Sequence, residues 1–127
     1  MPDFFADTYA LWALYNGSAR YRPYFERKEL ATTAINLVEF ASTLLRAGHI
    51  EERELKTVLA PLRGLVVEPG PEVVEAAAAF RAAMAKTRRN CSHIDAWGYA
   101  TARSLAVPFL TGDEAFRSIP SVEFVKE

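Results

Sequence analysis

The sequence predicts an α/β fold with three layers, α/β/α, around a central parallel sheet of four to five strands. Two observations carry that prediction. Short apolar or β-branched runs alternate with longer stretches of helical period, and such alternation calls for right-handed crossovers that lay helices on both faces of a parallel sheet. The 127 residues are half hydrophobic and 24% charged, a length and composition that suit one buried core. No Ser/Gly-rich linker and no repeat divides the chain, so residues 1–127 are read as a single domain.

The elements follow in order. Phe4-Phe5-Ala6 reads as a buried strand that passes at Asp7 into the helical stretch TYALWALYN, which stops at Gly17. YRPYFERKE forms a second helix with Pro23 early in it, and LATTA a second strand. INLVEFASTLLRAG places Leu37, Ala41, Leu44 and Leu45 at helical spacing and ends at Gly48. The short helix EERELKTVLAPL leads to a third strand, GLVVEP, closed by Pro69-Gly70-Pro71. EVVEAAAAFRAAMAKTRR is a strong helix with Val73, Ala77, Phe80 and Met84 on one face. SHIDAWGYATARSLA is the last helix, VPFLT a fourth strand and VEFV a fifth.

Charge and cysteine content exclude several classes. The formal net charge is -1, so the chain is no basic nucleic-acid coat, and any nucleic-acid contact is local. A single cysteine, Cys91, allows no internal disulfide, and neither it nor His49 and His93 have zinc-ligand spacing. The apolar start carries Asp3 and Asp7 and no basic leader, and no run is long enough to span a bilayer, so a cytoplasmic protein without membrane contact is expected.

In a parallel sheet of this kind the site lies at the carboxyl ends of the strands. Asp7 follows the first strand, Glu39 lies a few residues past the second, Asp95 opens the last helix and Asp113 follows VPFLT. Each has an ordinary reading as well. Asp7 and Asp113 suit helix N-caps, Glu39 a solvated helix face, and Ser92-His-Ile-Asp95 a capping box. Together they are a different matter, because close carboxylates repel by roughly 4 kcal/mol per pair at an effective dielectric of about 20. A fold that gathers them is expected to hold a cation or share protons. Oxygen donors without His or Cys favour Mg²⁺ or Mn²⁺, and the chemistry such a centre does best is hydrolysis of a phosphodiester. Neither a Ser-His-Asp pairing nor a Gly-rich phosphate loop competes.

FFADTYALWALYNG, TTAINLVEFASTLLRAG and SHIDAWGYATARSLAVPFLTGDEAF together resemble the PIN-domain family, and by size its VapC-type toxin ribonucleases. The last block is the most specific, with an Asp-Ala helix start, an Ala-rich helix, a short strand and then Thr-Gly-Asp-x-x-Phe. The resemblance runs through nearly the whole chain and is least distinctive over residues 50 to 90. It places the family's four acids on Asp7, Glu39, Asp95 and Asp113, with Thr111 supporting the last. It implies a metal-dependent endoribonuclease in which Asp7, Asp95 and Asp113 hold one Mg²⁺ or Mn²⁺ while Glu39 completes the shell or orients the attacking water. Cleavage would leave a 5′-phosphate and a 3′-hydroxyl. A small antitoxin partner and a homodimer are implied too. One position departs: many members carry Asn two residues after the first acid, where this chain has Tyr9, so that polar contact is lost or supplied by Asn36 or Asn90. A PIN-type nuclease of RNA processing or of DNA, and a non-catalytic binding module, remain the alternatives.

Two basic stretches, Arg20, Arg22, Arg27 and Lys28, and Arg81, Lys86, Arg88 and Arg89, read either as solvated faces or as phosphate contacts for RNA. Tyr9, Trp12, Tyr15, Tyr21, Tyr24 and Phe25 make the first two helices aromatic. Core packing is the expected fate of most of them, and the alternative is a groove for a partner segment. Cys91 is expected to pack passively.

Overall fold

The structure, a computed structural model, describes residues 1–127. Strand β1 (Phe4–Ala6) leads to helices α1 (Thr8–Tyr15) and α2 (Arg22–Arg27), and strand β2 (Leu30–Ala31) to α3 (Ala34–Arg46). A 3₁₀ turn at Glu52–Glu54 precedes α4 (Leu55–Arg63), then α5 (Val73–Lys86) and α6 (His93–Ser104) follow. The chain closes with β3 (Phe109–Thr111), a 3₁₀ turn at Glu114–Phe116 and β4 (Val122–Phe124). The strands form one parallel sheet in the order β2-β1-β3-β4, within the predicted four to five.

Alternation along the strands builds two cores. Phe5 pairs in register with Ala31 and Phe109, and all three enter one cluster with α5 and α6 residues such as Val73, Met84, Ala96 and Tyr99. Their neighbours Ala6, Leu30 and Leu110 point to the other face, against Leu11, Leu37, Phe40 and Leu44. Neighbouring residues of a strand face opposite sides, so both faces of this sheet are covered and three layers result. Gly98 allows α6 to lie on the sheet: a Cβ there would meet the Phe5 ring at 3.0 Å and the Phe109 ring at 3.2 Å.

One expected strand is absent. GLVVEP contributes only a single parallel bridge, Val66 to Thr32, in which Thr32 N–H donates to Leu65 O and Val67 N–H to Thr32 O, both at 2.9 Å. The reason lies in its neighbour. β2 has no length left to pair, because Thr33 already turns the chain into α3 as its N-cap. The strong helix over EVVEAAAAFRAAMAKTRR also ends early, at Lys86, and Arg88 takes a left-handed φ of 59°. No helix is long and apolar enough to cross a membrane.

Candidate functional site

The carboxyl ends of β1 and β3 bring the first and last acids together through one hydroxyl. Asp7 caps α1, its Oδ1 accepting from Ala10 N–H at 2.9 Å. Its Oδ2 accepts a short hydrogen bond from the Thr111 hydroxyl, which in turn accepts from Asp113 N–H at 3.1 Å. Thr111 is wholly buried and Asp7 is 3% exposed. Burial is the main force on Asp7 and pushes its pKa up to about 8. The two hydrogen bonds oppose that rise, and the charges of Asp95 and Asp113 add to it.

Asp95 comes from the first turn of α6, where it completes a capping box. Ser92 N–H donates to its Oδ2 at 3.0 Å and Asp95 N–H donates to Ser92 Oγ at 3.0 Å. Its pKa is raised, first by burial and then by the charges of Asp113 and Glu39, against the two Ser92 bonds. Asp113 caps the 3₁₀ turn after β3 by accepting from Ala115 N–H at 3.0 Å. Glu39 projects from α3, half-buried, and no group of the chain bonds its carboxylate. The capping roles are therefore real for the three aspartates. They leave Asp95 Oδ1 and Asp113 Oδ2 without a protein partner.

The four acids are linked by charge, since the charges of Asp95 and Asp113 reach Asp7 and those of Asp113 and Glu39 reach Asp95. They are not packed as a chelate: no three His, Cys, Asp or Glu side chains stand together as a metal-holding group. Their chemistry nonetheless suits a hard divalent cation. The donors are all oxygen, Asp95 Oδ1, Asp113 Oδ2 and the Glu39 carboxylate are free of protein partners, and the repulsion that adds to the effect of burial on Asp7 and Asp95 is what a bound positive charge would relieve.

Asn36 is buried beside them, accepting from the Thr33 hydroxyl at 2.6 Å and donating from Nδ2 to Thr8 Oγ1 at 3.2 Å. It thus ties the start of α3 to the residue next to Asp7. Asn90 is exposed and lies with Asp113 on the rim of a separate pocket. Tyr9 does something that its sequence position did not announce. Its ring lies so close to Gly112 that a Cβ there would meet ring atoms at 2.3 and 2.5 Å and Val125 O at 2.5 Å. Its hydroxyl accepts from Glu127 N–H at 3.0 Å.

Two more aromatic side chains of this region are spent in the same way, with an arginine beside them. Tyr21 donates to Val125 O at 2.6 Å, Tyr24 to Glu123 Oε2 at 2.7 Å, and Arg20 to Lys126 O at 3.0 Å. These side chains clasp β4 and the residues after it, so they offer no open groove. Trp12 and Tyr15 instead gather edge-on around Phe40 and His49. The larger apolar opening lies elsewhere, a groove of about 600 Å³ between α3 and α4 lined by Leu37, Val38, Ala41, Leu45, Leu55 and Leu59. Cys91 is buried and its thiol is pushed up to about 11, chiefly by that burial, as passive packing requires.

The PIN domain family matches residues 4–122. The chain belongs to the PIN domain family. Among solved structures, this PIN domain resembles a member of the VapBC family of toxin-antitoxin systems, VapBC-5, from Mycobacterium tuberculosis, at 21% identity. That match covers 99% of this chain and 100% of the other, with a TM-score of 0.68. It also resembles VapC20 of the same organism, described as a Sarcin-Ricin loop cleaving toxin, at 21% identity over 98% and 99% of the two chains, TM-score 0.69. VapBC-1 from nontypeable Haemophilus influenzae aligns at 15% identity over 97% and 96%, TM-score 0.73. At these identities the likeness is one of fold. Comparison with curated proteins finds no significant match in sequence.

Proposed function

We propose that this PIN domain is a metal-dependent endoribonuclease that acts as the toxin of a toxin-antitoxin pair. The observation that carries the reading is that Asp7, Asp95, Asp113 and Glu39 lie toward the carboxyl edge of the sheet, where the charges of Asp95 and Asp113 act on Asp7 and those of Asp113 and Glu39 on Asp95. A PIN domain with no use for a cation would have little reason to bear that repulsion. The solved relatives described as toxins, one of them cleaving the Sarcin-Ricin loop, support the choice of RNA.

Asp7, Asp95 and Asp113 would hold Mg²⁺ or Mn²⁺, with Glu39 as fourth ligand or as the group that orients water. Such an ion supplies a lowered pKa for a bound water and stabilises charge on phosphate oxygens. The chain's own contribution is orientation. Thr111 fixes the Asp7 carboxylate by donating its hydroxyl to it and fixes Asp113 by accepting from that residue's N–H. Caps at Ala10, Ser92 and Ala115 hold each aspartate in one direction, and the buried Asn36 anchors α3, the helix that presents Glu39. Glu39, whose carboxylate has no protein partner at either oxygen, is left to ligate the ion or orient water.

The test is cleavage of a labelled single-stranded RNA with Mn²⁺ or Mg²⁺, with end analysis of the products. Mn²⁺-dependent cutting that leaves 5′-phosphates and is lost in Asp95→Asn supports the reading. Cutting of DNA alone would make it a different PIN nuclease, and binding without cutting a non-catalytic module. The antitoxin reading fits the α3–α4 groove, whose apolar lining is an opening for an amphipathic segment. A second copy of the chain is the competing occupant, and light scattering of the purified protein separates the two.

A further inference from the structure

Of the arginines near the acidic edge, nearly all are occupied by the chain itself. Arg81 Nε donates to Cys91 O at 3.0 Å. Arg89 Nη1 donates to Ala115 O at 2.8 Å and to Arg117 O at 2.7 Å, stapling the segment between α5 and α6 to the turn after β3. Arg117 forks Glu114 through two bonds at 2.8 and 2.9 Å and lies over the Phe124 ring, 4.5 Å from its centroid. Lys126 also bonds Glu114, at 2.6 Å. Arg88 is the exception, exposed and with a guanidinium that has no ion-pair or hydrogen-bond partner.

Arg88, Arg89, Asn90, Asp113, Glu114 and Arg117 line one pocket of about 480 Å³. Its acid Glu114 is already paired with Arg117 and Lys126, so Asp113 is the acid of this pocket without a cation partner. Two residues of its wall, Arg88 at φ 59° and Ser118 at φ 66°, adopt the left-handed backbone that side chains rarely take. Such conformations persist where the surroundings dictate them, and the Arg89 staple is the constraint at hand. The pocket is therefore a held shape with one uncommitted guanidinium and a wall shared with the carboxylate set.

We infer that this pocket is a phosphate subsite in which Arg88 seats a backbone phosphate of single-stranded RNA beside Asp113, an inference that rests on the nuclease reading for its substrate. A guanidinium matches phosphate geometry in a way an ammonium does not. Contacts of this kind fix the register of a strand and carry no base preference. The subsite accounts for how a polyanion approaches an acidic edge on a chain of net charge -1: one cation stands on the rim rather than a broad basic face.

The probe is a fluorescein-labelled oligoribonucleotide of single-stranded RNA, its affinity followed by anisotropy in EDTA across a NaCl titration. Arg88→Ala is expected to weaken binding several-fold and to flatten the slope of log K against log salt by about 0.7, one phosphate contact on a single strand. Arg88→Lys should recover part of the slope, and Arg46→Ala, away from the pocket, should leave it unchanged. Arg88→Gly, which suits the left-handed backbone, serves as a second variant if Arg88→Ala melts poorly. With Mn²⁺ present, the substitutions should raise KM and leave kcat within about twofold of wild type. Wild-type affinity, slope and KM in Arg88→Ala and Arg88→Gly would overturn the subsite even if RNA is cleaved. An Arg88-dependent slope in a protein that cuts no RNA would sustain the subsite and overturn the nuclease.

Discussion

Asp7 is an acid kept where an ionised carboxylate is costly, and its pH behaviour follows from that. Its pKa lies near 8 instead of 3.8, so between those values the folded chain binds more protons than the unfolded one. Unfolding free energy then falls as pH rises through the window. Asp95, also raised, acts in the same sense, whereas Glu114, held at about 2 against 4.5, acts oppositely only at more acid pH. The metal-free protein is thus expected to lose thermal stability from about pH 5 to about pH 8, and Asp7→Asn to flatten that decline. A wild-type midpoint that stays level across the window would show that Asp7 ionises freely. Adding about 10 mM Mn²⁺ should raise the wild-type midpoint by a few degrees, since a ligand at ten times its Kd contributes roughly 1.4 kcal/mol. Asp95→Asn should melt higher than wild type without metal and cease to respond to it; a response that survives would place the ion elsewhere. Thr111→Val removes both the donor to Asp7 and the acceptor of Asp113 N–H, at an expected cost of about 1–3 kcal/mol by denaturant titration, largely restored by Thr111→Ser.

Between β3 and its following turn, Gly112 shows how a helix can dictate a loop. A methyl group there has no room beneath the Tyr9 ring or beside Val125 O, so Gly112→Ala should destabilise by about 1–3 kcal/mol. Tyr9→Ala in the same chain should recover part of that loss, and simple additivity of the two substitutions would mean the ring moves aside freely. Sequence periodicity reveals the helices and the capping positions because both are set within a few residues. It misplaces what depends on a distant neighbour. GLVVEP has a strand's composition, yet it meets only Thr32 because Thr33 is already committed to capping α3. In the same way Tyr9, Tyr21 and Tyr24 read as core with a partner's groove as the alternative, and nothing local says that residues 123–127 are what they bond.

Across the chain as a whole, the edge that carries the acids is legible for a topological reason: in a parallel sheet every strand exits on one side, so residues placed after strands share that edge without any local signal. Charge does not share that legibility. Which of the arginines is free depends on carbonyls and carboxylates brought in by the turn after β3, and the sequence lists them all alike. The α3–α4 groove carries its own expectation. Leu45→Glu with Leu59→Glu should abolish co-purification of a co-expressed antitoxin while leaving cleavage of RNA in place, and retention of the partner would send it to the Trp12–Tyr15 surface instead. The order of strands has one more effect. β1 sits between β2 and β3, and Thr111, whose hydroxyl holds Asp7, is made 104 residues after it, with Asp113 just beyond. At roughly 5–20 residues per second of synthesis, a growing chain carries Asp7 and Glu39 for several seconds with nothing opposite them. Asp7 therefore waits without its Thr111 hydroxyl, and the acidic edge cannot assemble before β3 has been made.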